Sequence, residues 1–114
     1  MHSAAVTALL LAAAFKRGEQ TRSRISNKTV ENVSGRKRLT ASFIVELMNT
    51  IVEYDVTMTE LDGGGFGLLY TRTLRGAKTL SALNLLTNEE LDNPNIEALE
   101  AELDHEHPDF AEEA

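Results

Sequence analysis

The chain has 114 residues, 42% hydrophobic and 25% charged, which is the composition of a globular protein large enough for one core. The absence of cysteine excludes a disulfide framework, a thiolate metal site and a cysteine nucleophile. The net charge of −7 is unevenly divided: residues 1–80 hold all 11 Lys and Arg against seven acids, a net +4, whereas residues 81–114 hold eleven acids and no Lys or Arg.

A helix is expected over residues 3–17, rich in alanine and leucine, with Lys16 and Arg17 in its last turn and Gly18 as its stop. Val6, Leu10 and Ala13 recur at i, i+4 and i+7 and are expected to face the core. The run "AAVTALLLAAAF" is too short to span a bilayer. Its basic residues follow it rather than precede it, against the order of a secretory signal, so a buried helix in a cytoplasmic protein is expected.

"TRSRIS", residues 21–26, reads as a loop with a very short strand. Ser26 or Asn27 can cap a short second helix, "NKTVENV", which Ser34-Gly35 stops. A third helix is expected over about residues 38–54. Phe43, Leu47, Ile51 and Tyr54 share one face, with Ile44 and Met48 beside them. Ala41, Val45 and Val52 widen the apolar sector, and Arg38, Ser42, Glu46, Asn49 and Glu53 form a narrow polar stripe.

"VTMTEL" (56–61) and "FGLLYT" (66–71) read as strands. Asp62-Gly63-Gly64-Gly65 between them supplies the positive φ that a hairpin loop needs. A three-residue loop sets Met58 opposite Tyr70, and a two-residue loop sets it opposite Leu69. Residues 72–80 read as a basic connector and residues 80–86 as helical. Asn93-Pro94 reads as a helix start, with Ile96, Leu99 and Leu103 at i, i+3 and i+7 behind it. Residues 104–114 are expected to be a disordered acidic tail.

The order of elements over residues 3–71 is helix, short strand, helix, turn at Gly35, amphipathic helix and glycine-tipped hairpin. It resembles the winged helix-turn-helix superfamily. The resemblance implies an α+β fold of three helices with a two- to three-stranded β-hairpin wing over residues 1–80. It leaves residues 81–103 as a helical extension and possible dimerisation element. It further implies binding of double-stranded DNA through the helix after the turn, although winged helices also serve as protein-interaction modules.

The charge split points to nucleic-acid binding or to an acidic tail with its own task. Arg36, Lys37 and Arg38, with Arg22, Arg24 and Lys28 nearby in sequence, can neutralise phosphates. The alternative is a solvated basic turn that pairs with the tail. Ser42 and Asn49 can read base edges, but Glu46 and Glu53 on the same stripe repel phosphate, and the helix can equally serve a core or dimer. The hairpin tip, with Asp62 and no cation, departs from a DNA-contacting wing. Glu97, Glu100, Glu102, Asp104 and Glu106 form an acidic surface for a basic protein partner, as in small acidic phage inhibitors such as anti-CRISPRs, which the chain resembles in size and charge. His105 and His107 lack the spacing of a metal site. Nothing indicates a cofactor, a catalytic nucleophile or a phosphate loop. A DNA-binding homodimer is the leading expectation, and a protein-interaction module the alternative.

Overall fold

The computed structural model describes residues 1–104, so the expectations for residues 105–114, including Glu106, His105 and His107, lie outside the described residues. The described residues form an α+β arrangement of seven helices and one three-stranded antiparallel sheet. The chain divides into two units, Met1–Ala77 and Lys78–Ala114. The first contains α1 (Ala4–Arg17), β1 (Arg22–Ile25), α2 (Asn27–Ser34), α3 (Ala41–Ile51), a 3-10 turn (Val52–Tyr54), β2 (Val56–Glu60), β3 (Phe66–Tyr70) and α4 (Thr71–Arg75). The second contains α5 (Ala82–Leu85), α6 (Asn88–Asp92) and α7 (Ile96–Leu103).

The three long helices of the first unit start in the same way. Ser3, Ser26 and Thr40 are extended N-caps whose hydroxyls accept the backbone N–H of Val6 (3.2 Å), Thr29 (3.0 Å) and Phe43 (3.2 Å). Each such cap is worth about 1 kcal/mol. The cap at Thr40 also corrects the expected start of the third helix. Residues 36–39 are not helical, so Arg38 belongs to the turn and not to the helix stripe.

The sheet order is β1–β3–β2, with Ile25 opposite Phe66, and Val56 opposite Tyr70. Alternation then puts Val56, Met58, Phe66 and Leu68 on the core side. Neither expected register is correct: Met58 stands opposite Leu68. The loop does have three residues, but they are Asp62–Gly64 and not Gly63–Gly65, closed when Leu61 N–H donates to Gly65 O and Gly64 N–H donates to Leu61 O, both at 3.0 Å. Gly65 has φ 79°, and a Cβ built on it would lie 2.6 Å from the Ile25 carbonyl oxygen. It is therefore glycine for two separate reasons, backbone conformation and close approach.

The core is made by Ala4, Ala8, Leu11 and Phe15 of α1, Val30 of α2, Phe43, Leu47 and Ile51 of α3, and the four sheet residues. The expected α1 face is wrong. Val6 and Leu10 are exposed and Ala13 is half-buried, and the buried stripe lies roughly 160° away around the helix. α1 is apolar on nearly every side, and the small side chains of Ala4 and Ala8 are the ones taken into the core. Thr7 is also fully buried, with its hydroxyl donating to Ser3 O at 2.8 Å. In α3 the outer apolar sector also fails to pack, since Ala41, Val45 and Val52 are exposed.

Two connectors differ from expectation. Thr71–Arg75 is a short helix rather than an irregular basic link. The last helix is capped by Asn95, whose Oδ1 accepts Ala98 N–H at 3.1 Å, whereas Asn93 ends α6. α6 itself starts with a reciprocal capping box between Thr87 and Glu90. No described residue of the second unit is buried, and Leu80, Leu83 and Leu103 are among its exposed leucines. No helix among the described residues is long and apolar enough to cross a membrane.

Gly65→Ala is expected to cost more than about 2 kcal/mol, because it combines a positive φ with a backbone clash. Gly63→Ala, with nothing within 4 Å of its Cβ, is expected to cost less than about 1 kcal/mol. Urea unfolding midpoints at constant m-value check the difference.

Candidate nucleic-acid interface

The sequence-expected cations separate into distinct settings. Arg22 and Arg24 alternate with core-facing Ser23 and Ile25 along β1, which places them on the outer face of the sheet. Lys28, in the first turn of α2, is exposed and lies 4.0 Å from Glu31. That pair is worth at most a few tenths of a kcal/mol.

The basic triplet does not act as a unit. α2 ends at Gly35 in the left-handed conformation (φ 73°), and the chain turns over Arg36–Leu39 before Thr40 caps α3. Arg36 is half-buried. Its guanidinium lies 3.9 Å from the Phe43 ring centroid and donates to His2 O at 3.1 Å. The His2 N–H in turn donates to Ser34 O at 2.7 Å. Arg36 thus binds the Met1–His2 segment to the α2–α3 turn, and its Nε is buried without a hydrogen-bond partner. Lys37 and Arg38 are exposed and have no carboxylate partner among the described residues.

From this turn α3 presents an outer face of Ser42, Val45, Glu46, Asn49 and Val52, opposite the buried Phe43, Leu47 and Ile51. Ser42 Oγ lies 3.3 Å from Thr40 Oγ1. Asn49 stands two turns further along the same face, about 10 Å up the axis. Lys37, Arg38, Ser42 and Asn49 are all exposed, the first two in the turn and the last two on the helix face that follows it. Placing two cations just ahead of a helix N-terminus costs stability through the helix dipole, by about 0.3–1 kcal/mol each at most. The same placement sums the cations and the free N–H groups into one positive field that suits an anion.

A second cluster was not expected from the sequence. Asp55 follows the 3-10 turn with φ 63°. Its N–H donates to Val52 O (3.0 Å) and its carbonyl accepts Thr71 N–H (2.8 Å). Its carboxylate accepts from Arg72 Nε at 2.5 Å and lies 4.0 Å from Arg75. The hydrogen bond to Asp55, and then its charge, raise the Arg72 pKa above its ordinary value. Arg72 also lies over the Tyr70 ring at 5.1 Å. The only sequence signal was an aspartate directly before a strand, a residue type that tolerates this backbone conformation.

The acids of the alternative surface are exposed on α7: Glu97, Glu100 and Glu102, with Asp104 as its C-cap. The described residues contain no cluster of three or more His, Asp or Glu able to hold a metal ion. No family model, curated protein or solved structure matches the chain.

Arg36→Ala is expected to destabilise the fold by about 1–2 kcal/mol, by removing the cation–π stacking on Phe43 and freeing the His2 carbonyl. Lys37→Ala and Arg38→Ala are each expected to stay within about 0.5 kcal/mol of the parent or to stabilise it slightly. Chemical denaturation of the three variants checks this ordering.

Proposed function

We propose that residues 1–77 form a winged helix-turn-helix domain that binds double-stranded DNA, as in a cytoplasmic transcriptional regulator. The carrying observation is the exposed Lys37-Arg38 turn, without a carboxylate partner among the described residues, that leads directly into an outward face of α3. In this reading Lys37 and Arg38 contact phosphates, and Ser42 and Asn49 face the base edges. The β1–β3–β2 sheet supports the hairpin as the wing. Arg22, Arg24 and Lys28 add to the backbone field. Arg36 positions the turn and does not contact DNA. Pairing of two copies supplies two half-sites. The eleven acids of residues 81–114 compete for the same cations and lower the affinity of the full chain.

One observation favours a second reading. The described part of the second unit buries no side chain and combines exposed leucines with carboxylates. Such a segment suits a protein partner with a basic, apolar surface, as an inhibitor of a nucleic-acid-binding protein requires. Glu97, Glu100, Glu102, Asp104 and Glu106 are then the contact residues.

Fluorescence anisotropy of a random-sequence duplex across a salt series tests the first reading. The Lys37→Ala/Arg38→Ala double variant is expected to bind more weakly on every sequence. Its log–log salt slope should be smaller by about 2, one for each phosphate that is no longer neutralised. Unchanged affinity and slope would remove these residues from the interface. Absence of binding by the parent at low salt would favour the protein-partner reading.

A further inference from the structure

The first unit carries a groove with a volume of about 560 Å³. Leu9, Ala12 and Ala13 of α1 line one side, Tyr54 and Tyr70 the other, and Lys16 and Arg72 stand at the rim. The lining is only partly covered: Leu9 is 51% and Tyr54 38% exposed. The groove is also built rather than incidental. Tyr70 is held against Phe15, ring centroids 4.6 Å apart, and Arg72 is fixed over Tyr70 by Asp55. Arg72 is already matched by Asp55, so the charge offered at the rim is that of the exposed Lys16, and an apolar trough beside it suits an occupant with an apolar stripe flanked by carboxylates.

The chain itself contains such an element. On α7, Ile96, Leu99 and Leu103 form one stripe, with Glu100 on one flank and Glu102 on the other. Ile96 is 58% and Leu103 80% exposed, so the stripe has no core of its own. Residues 81–114 hold no Lys or Arg that would repel the rim. We propose that the groove of one copy seats α7 of a second copy, so that two reciprocal groove–helix contacts make a dimer. The proposal does not depend on DNA binding and goes beyond it.

Sedimentation equilibrium of the full chain tests the proposal. The parent is expected to be a dimer. Ala13→Glu puts a carboxylate into the trough, and Leu103→Glu breaks the stripe; each variant is expected to be monomeric. Lys16→Glu changes only an exposed rim residue and leaves the core intact. It is expected to raise the dimer dissociation constant about two- to fivefold at low salt, and less at high salt. A mixture of Ala13→Glu with Leu103→Glu retains one intact groove–helix contact and is expected to regain heterodimers. Circular dichroism checks that the variants are folded. A monomeric parent throughout the concentration range would overturn the proposal. So would a dimer indifferent to both Ala13→Glu and Lys16→Glu, or a mixture that stays monomeric.

Discussion

The contact between the Ile25 carbonyl and Gly65 governs the architecture of the first unit. At this point β1 ends, α2 begins and the hairpin loop closes, all within the space that one side chain would fill. Because Gly65 has none, the β1 backbone comes close enough to pair with β3, and Ile25 faces Phe66. Ser26 caps α2 immediately afterwards, so the contact also fixes where α2 starts and hence where its C-terminal turn delivers α3. A hairpin with a side chain at this position would hold β1 off, and α2 would lose its anchorage to the sheet.

The cations divide by what they are tied to. Arg36 stacks on Phe43 and binds the chain start; Arg72 and Arg75 surround Asp55 at the exit from the sheet. These three stabilise the fold at two of its joints. Lys37 and Arg38 pair with no carboxylate among the described residues, and they stand where the helix dipole disfavours positive charge. In the proposed DNA-binding reading these two side chains serve an external anion and not the fold. In the same reading, the glutamates of α3 would limit how closely phosphate approaches that face and leave the first contact to the basic turn.

Local chemistry was legible in the sequence and long-range choices were not. The helix around Val30, its stop at Gly35, the short strand at Ile25 and the glycine-closed hairpin follow from residue types a few positions apart. The face of α1 did not, because a helix with apolar residues all round offers no moment to read. The face that is buried combines small residues, Ala4 and Ala8, with large ones, Leu11 and Phe15. The register of β2 on β3 stayed open because every candidate partner of Met58 is apolar. Basic residues 36–38 are good helix formers, yet Thr40 offered a better cap, so the helix starts after them. Asn93-Pro94 was the stronger local signal, but the cap formed at Asn95. The exposure of Lys37, Arg38, Ser42 and Asn49 was legible from charge and spacing. The separate role of Arg36 was not, since it depends on a carbonyl 34 residues away.

The hydrogen bonds that hold His2 against Ser34 and Arg36 have a practical consequence. The Cα of Met1 lies 3.2 Å from where a Cβ on Gly35 would stand. Any polypeptide joined ahead of Met1 must therefore emerge beside Gly35, at the start of the turn that carries Lys37 and Arg38. An affinity tag or fusion partner at that end would shadow the basic turn and could silence it without unfolding the protein. The choice of fusion point thus becomes a variable in any binding experiment.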